Sequence, residues 1–592
     1  LSTLAPNRFR PGLLALAIVI GCSPFAVAGS PADTVIVNAH VYTVNSRQPW
    51  AEAVAITGGH VVAVGSAKQV GAYLGSSTKV IDAGGRLVLP GFTDSHIHFL
   101  DGSISLQQLQ LDDVPTLAEV QQRIKAYATA HPELPWILGR GWSYPIFGPA
   151  AIPHKKFLDE IVPDRPVYLT AFDGHTWWAN SKALELAGVT AKTPDPPNGW
   201  FVRDSRTGEP TGAIKEDAAD AIVEAAIPSL SRQQKLQALR AGLREANRAG
   251  LVRVHCLGEL RPTPVSDFDN LDLYDELRSA GDLTIRLYVA SAIDPPALDA
   301  NELRQIEAAR RHYHDDWISA GAAKFFLDGV IETHTAAMLA PYSDDSSQSG
   351  TLLWDPAKFR QAVAELDRRG IQIFTHAIGD RAIRLALDAY ENTRQINHTE
   401  DARNRVEHIE DASADDIPRF GKLGVIASFQ PLHAYPEADT LNVWVRNVGP
   451  ERAQRAWAWH SIQNAGGHLT FGSDWPIVTL SPWPGLQTAV TRQTAEGNPP
   501  GGLVPSERIS LEDAIHGYTL GAAFAGHREM TEGSIEPGKL ADLIVVSQDL
   551  FRIEPSQISR TEVLLTIVGG KVVYQSASWV DSMQPIHGKE KP

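Results

Sequence analysis

From Thr34 to Val44 the chain reads Thr-Val-Ile-Val-Asn-Ala-His-Val-Tyr-Thr-Val, an alternating, β-branched pattern that predicts a strand. Ala53 to Val64 predicts a hairpin turning at Gly58-Gly59. The far end repeats this grammar. Ala541 to Val546 predicts a strand, and Leu565–Val568, Gly569-Gly570 and Lys571–Tyr574 predict another hairpin. Each end alone has too few strands for a stable core. Paired, residues 31–85 and 535–580 make one small composite β-sandwich domain; the alternative is two unrelated surface hairpins.

Between these ends short apolar strands alternate with amphipathic helices. The strands are expected to end at Leu89, Val254, Val289, Phe326, Phe374, Val406, Ser428 and Phe471. Helical runs lie between them, among them Gln233–Ala249, Pro356–Arg369, Arg381–Thr393 and Glu451–Asn464. Eight β/α units predict the α/β class and a (β/α)8 TIM-like barrel over 86–534. The stretch from about 103 to 235 is too long for one crossover. It reads as an insertion after the first barrel strand, with its own helices, beside the barrel mouth.

Arg8 and Arg10 precede an apolar run from Leu13 to Ile20, followed by Ala26-Val27-Ala28. Basic flank, short apolar run and small-x-small site predict a signal peptide over 1–28. The run is too short to span a bilayer, so no transmembrane segment is expected. Cleavage before Gly29 would give a soluble exported protein, periplasmic or secreted. Val19-Ile20-Gly21-Cys22 also resembles a bacterial lipobox, which would leave a lipid anchor on Cys22.

Composition narrows the function. Of 592 residues, 43% are apolar and 21% charged, and the formal charge is −16. An acidic chain lacks the Lys/Arg surplus that nucleic-acid binding needs, so a nucleic-acid partner is not expected. The 2 Cys, Cys22 and Cys256, exclude a disulfide scaffold and a Cys-rich zinc site. There are 20 His, so any metal must be held by nitrogen and oxygen.

In a barrel, chemistry sits past the C-terminal ends of the strands. His96 and His98 follow the first strand and, two apart on an extended segment, face one side. His376 follows the fifth strand, His408 the sixth and Asp474 the eighth, while Lys324 lies inside the fourth. Imidazole with carboxylate suits zinc and neighbouring ions. For Lys324 two readings stand. It snorkels to the rim, or it is neutral and reacts with carbon dioxide to a carbamate that bridges two metals.

The run from Pro90-Gly91-Phe92 through His96-Ile97-His98, with His376, His408 and Asp474, resembles the amidohydrolase superfamily. The closer match is its amidohydrolase-3 branch, which includes YtcJ-like and N-substituted formamide deformylase-like hydrolases. Asp173–Leu184, Lys324–Gly329, Phe429–His433 and Gly533–Leu543 also resemble that branch, and the likeness covers about residues 34–575.

The resemblance implies two divalent ions, zinc by expectation. His96, His98 and Asp474 would hold one and His376 and His408 the other, with carboxylated Lys324 between them. A hydroxide shared by the ions would attack, and Asp474 would act as base and then acid. His175 is a candidate for stabilising the oxyanion, its alternative a structural role beside Trp177 and Trp178. His433, His334, His255 and Trp177 are candidate substrate contacts. His255 lies where many relatives carry an acidic residue near the strand end, and a packing role is its alternative. Cys256 reads as a small buried hydrophobe. Trp142, Trp457, Trp459 and Trp483 are further candidates for an apolar pocket. The leading expectation is hydrolysis of a C–N bond in an amide, N-acyl compound or cyclic amide. An esterase, lactonase or deaminase on the same site is the second, and a non-catalytic periplasmic metal-binding protein the third. A homodimer and a monomer both stay open.

Overall fold

The computed structural model describes residues 30–112, 114–150, 152–197, 199–258 and 265–580. The signal peptide expected over 1–28, the cleavage site before Gly29 and the lipid-anchor reading of Cys22 lie outside them.

Thr34–Val44 is not one strand. Asn38, at φ 49°, turns the chain between Thr34–Val37 and His40–Tyr42. The first piece joins a four-stranded sheet in the order His60–Gly65, Ala53–Thr57, Thr34–Val37, Lys79–Asp82. The second joins a six-stranded sheet with Leu87–Pro90 and the C-terminal strands Leu543–Val546, Val563–Val568 and Lys571–Gln575. Alternation puts Ile36, Val54, Ile56 and Ile81 of one sheet against Val41, Val88, Val545 and Ile567 of the other. Both ends of the chain therefore share one apolar core, with every one of these side chains withdrawn from water.

The barrel strands are β1 Phe92–Ile97, β2 Leu251–Cys256, β3 Arg286–Ala292, β4 Ile318–Phe326, β5 Ile373–Ala377, β6 Arg405–His408, β7 Ile426–Phe429 and β8 His468–Phe471. All neighbours pair in parallel, and β1 and β8 are the two ends of the ladder. Between these two ends other bonds close the cylinder. Asp94 Oδ1 accepts the N–H of His96 (3.1 Å) and of Ser473 (3.0 Å). The Asp474 N–H donates to the His96 carbonyl at 2.7 Å. Ser95 and Thr470 join hydroxyls.

Two expectations need correction. The first barrel strand does not end at Leu89. Leu87–Pro90 pairs with Leu543–Val546 in the composite domain, and the barrel strand begins after Gly91. Polar as they are, Thr93, Asp94, Ser95 and His96 of that strand are all buried. The sandwich accordingly runs to Pro90 rather than stopping at 85.

The run expected as one helix, Glu451–Asn464, is broken into Pro450–Ala453 and Trp459–Asn464. Buried Arg492 donates to the carbonyls of Ala456 (3.0 Å) and Trp457 (3.3 Å), and Trp457 sits at φ 49°. Those carbonyls are thus satisfied outside any helix.

The insertion is more than helical. It carries its own six-stranded sheet, in the order Trp200–Arg203, Pro210–Lys215, Thr176–Ala179, Val167–Ala171, Ile137–Trp142, Leu109–Gln110. Strands of two to six residues, separated by Pro and Gly, leave little periodicity to read.

Candidate metal centre and active site

The strand ends bring His96, His98, Lys324, His376, His408 and Asp474 to the floor of one cavity of about 740 Å³. His175, His433 and Trp177 line it as well. Two groups of ligand atoms converge there: His96, His98 and Asp474, and His408, His433 and Asp474.

Asp474 is the hub. Its Oδ1 lies 3.2 Å from His98 Nε2 and 3.3 Å from His96 Nε2, and its Oδ2 lies 3.6 Å from His433 Nε2 and 3.9 Å from His408 Nδ1. Burial would raise its pKa, but His96 and the other imidazoles hold the carboxyl well below its ordinary range. The backbone is bent to achieve this. Asp474 sits at φ 64°, His408 at 75° and Ile409 at 51°, a region non-glycine residues rarely enter.

The loop that bends is packed without slack. A Cβ on Gly472 would lie 2.4 Å from the His96 nitrogen and 2.8 Å from Asp94 Oδ1. On the other side of His98, Asp267 accepts the N–H groups of Phe99 (2.9 Å) and Leu100 (3.0 Å) and so fixes the turn into the next helix.

His96 is oriented from behind. Its Nδ1 lies 2.7 Å from Glu407 Oε2, and both side chains are buried. Glu407 in turn accepts from Arg405 Nε at 2.7 Å and Nη2 at 3.0 Å. Against its burial, Arg405 and His96 hold the Glu407 carboxyl below its ordinary range. A carboxylate on Nδ1 leaves the Nε2 lone pair facing Asp474, the arrangement found behind metal-bound imidazoles. Sequence reasoning missed this pair. The signal was two charged residues with period two inside an apolar strand, the same signal that singled out Lys324.

Lys324 is fully buried, and its Nζ lies 3.4 Å from His96 Nε2. His376 Nε2 lies 3.2 Å from the Gly329 carbonyl. Asp328 ties the loops after β4 and β5 together by accepting the N–H groups of Ala337, Ile378 and Gly379. Burial pushes the Asp328 carboxyl up to about 7.

The donor set fits divalent ions. Burial, with Lys324 next in effect, pulls His96 down to about 4 and His376 well below its usual value. Burial and the neighbouring His376 do the same to His408. Imidazoles kept neutral retain the lone pairs a metal needs. His408 Nδ1 and His433 Nε2 are buried without a hydrogen-bond partner among the described residues, a condition rare in folded proteins.

His433 stacks on His408 with centroids 5.7 Å apart and forms with His408 and Asp474 a group that could hold an ion. His175 Nδ1 lies 2.9 Å from Glu216 Oε2, and its ring is 6.4 Å from that of His376.

Two candidate substrate contacts lie elsewhere. His255 is buried inside the barrel against Arg405 (3.1 Å) and Tyr288; inward-facing barrel positions fill the core. His334 points its Nε2 at Asp344 (2.9 Å) and its ring at Tyr342. Neither belongs to the cavity lining. Of the tryptophans expected around a pocket, Trp177 lines the cavity, while Trp142, Trp457, Trp459 and Trp483 are buried in the cores. Burial raises the Cys256 thiol well above its usual value, so it is a poor nucleophile.

The Amidohydrolase family profile matches residues 79–574. The protein LONG AFTER FAR-RED 3 of Arabidopsis thaliana is 32% identical over 92% of this chain and 92% of its own. The N-substituted formamide deformylase of Arthrobacter pascens is 28% identical over 92% of this chain and 98% of its own. Among solved structures, an uncharacterized metal-dependent hydrolase from Pyrococcus horikoshii OT3 superposes with a TM-score of 0.68 at 24% identity, covering 88% of this chain and 99% of that one.

Proposed function

The chain belongs to the amidohydrolase family, and from that premise we propose that it hydrolyses a C–N bond in an amide, N-acyl or cyclic amide substrate. The observation that carries the proposal is the convergence of His96, His98 and His433 on the two oxygens of Asp474 at the cavity floor. Support also comes from the relative in Arthrobacter pascens, whose name is that of an enzyme acting on formamides.

His96 and His98 with Asp474 would hold one ion, and His376 and His408 the other, with Lys324, once converted to its carbamate, as a shared ligand and His433 as an additional donor. Bound ions, zinc by expectation, supply Lewis acidity that activates water and polarises the carbonyl. Asp474 takes the proton from the attacking water and delivers it to the leaving nitrogen. His175, fixed through Nδ1 by Glu216, has Nε2–H when protonated and donates it to the carbonyl oxygen as charge builds there. Trp177 and the insertion around it shield the reacting bond from bulk water.

The test is a panel of N-acyl amines, N-acyl amino acids, formamides, esters and lactones with zinc-loaded protein. Amides should be turned over and Asp474→Asn should lose at least a hundredfold while keeping its metal. Turnover confined to esters or lactones, or an Asp474→Asn variant as fast as the parent, would overturn the reading. We propose further that residues 1–28 direct export, to be checked by sequencing the mature N-terminus of protein recovered from the cell; a chain that begins at Gly29, or at an acylated Cys22, is expected, and one that keeps residues 1–21 overturns it.

A further inference from the structure

The insertion contributes one side chain to the cavity that the chemistry above does not use. Arg140 lies on the strand Ile137–Trp142 and is 6% exposed. Arg140 lines the cavity, as does Leu138, two residues earlier on the same face of the strand. Of the cations lining the cavity among the described residues, Lys324 lies against His96 and Lys235 donates to Asn270 at 3.0 Å. Arg140 differs from both: its Nη2 is buried with no hydrogen-bond partner among the described residues.

A guanidinium has five N–H donors, and burying them unmet is unfavourable unless something else meets them. The natural partner is planar and anionic, because two parallel N–H···O bonds to a carboxylate match the guanidinium fork. Among the described residues no carboxylate accepts from that Nη2. Asp173, which faces the same cavity, is already engaged by Tyr144 Oη (2.7 Å) and by the His175 N–H (3.1 Å). Asp101, Asp112, Asp474 and Asp173 pull on the Arg140 charge through space, but burial outweighs them and lowers its pKa. Arg140 and Asp474 line the same cavity, so one small molecule can reach both the guanidinium and the bond being cleaved.

We propose that Arg140 anchors a carboxylate of the substrate, so that the site takes N-acyl amino acids in preference to the corresponding N-acyl amines. This rests on the amide-hydrolase reading for the reaction, but not for the binding. Trp136, Leu138, Tyr168 and Trp177 line the cavity beside Arg140 and suit an aromatic or aliphatic amino-acid side chain.

Two probes that differ only in the carboxylate isolate this contact: N-acetylphenylalanine, each enantiomer, and N-acetyl-2-phenylethylamine. Their affinities are measured by calorimetry in zinc-loaded Asp474→Asn protein, where turnover is blocked, and in the same protein carrying Arg140→Met or Arg140→Gln. The better enantiomer is expected to bind at least tenfold tighter than the amine, and both Arg140 variants should cut that preference below threefold. A preference under tenfold in the parent, or one that survives in both variants, overturns the proposal. Hydrolysis of neither probe by protein with intact Asp474, with the binding preference present, would count against the amide reading and leave the carboxylate site standing.

Discussion

Replacing Glu407 by Gln tests the support behind the metal-type cluster, because it changes charge and leaves shape almost untouched. Glu407 accepts two bonds from Arg405 and one from His96. A glutamine can keep its oxygen toward Arg405, but its amide then turns two N–H donors toward His96 Nδ1. Nδ1 must accept, so the proton moves to Nε2, the atom 3.3 Å from Asp474 Oδ1. His96 then has no lone pair to offer there.

Losing an orienting carboxylate of this kind weakens metal affinity about tenfold to hundredfold, or about 1.4–2.8 kcal/mol. Separately, Arg405 is left buried with its ion pair broken, which costs about 3–5 kcal/mol from a total stability of about 5–15 kcal/mol. Metal titration with a competing chelator reads the first effect and thermal unfolding of the metal-free protein the second. The double variant Arg405→Met, Glu407→Gln separates them: it should regain part of the stability and none of the affinity. Parental metal affinity in a folded Glu407→Gln protein would refute the reasoning.

Other outcomes follow from the same geometry. Lys324→Ala should lose at least one of two bound ions by elemental analysis; one ion per chain, unchanged in the variant, would contradict a bridged site. Gly472→Ala places a Cβ 2.4 Å from the His96 nitrogen, so it should lower the melting temperature and metal content together; parental values for both would count against the tight closure. His334→Ala should leave kcat/KM within about threefold, because His334 is paired with Asp344 outside the cavity; a tenfold fall would return it to the site.

Much of the barrel could be read because parallel strands buried on both faces are short apolar runs, as at Ile373–Ala377 and Ile426–Phe429. Where the barrel does its chemistry, that signal inverts. β1 reads polar because Asp94, Ser95 and His96 are buried on both of its faces, so the apolar run beside it, Leu87–Pro90, was the more obvious strand. The candidate ligands His376, His408 and Asp474 were legible because each lies at or just past the end of a recognisable strand. The place of His433 beside them was not, since it depends on a 3₁₀ turn, Pro431–Ala434, that sets it against His408. Arg140 was equally hidden, its role depending on a strand order in the insertion that no spacing in the chain encodes.

The join between β1 and β8 has a consequence for stability. His96 and His98 come from the first strand and Asp474 from the loop after the last, so one ion would clasp the two ends of the ladder directly. Binding to the native state alone stabilises it by about 4.1 kcal/mol when free metal is a thousandfold above Kd, and here that energy would be concentrated at a single strand boundary. Chelation should therefore loosen the cylinder from that boundary outward. Amide hydrogen exchange in β1 and β8 would accelerate before that in β3 to β5 on the opposite wall. In such a barrel the catalytic ion is also a folding constraint, and metal supply would set how long the enzyme lasts as well as how fast it works.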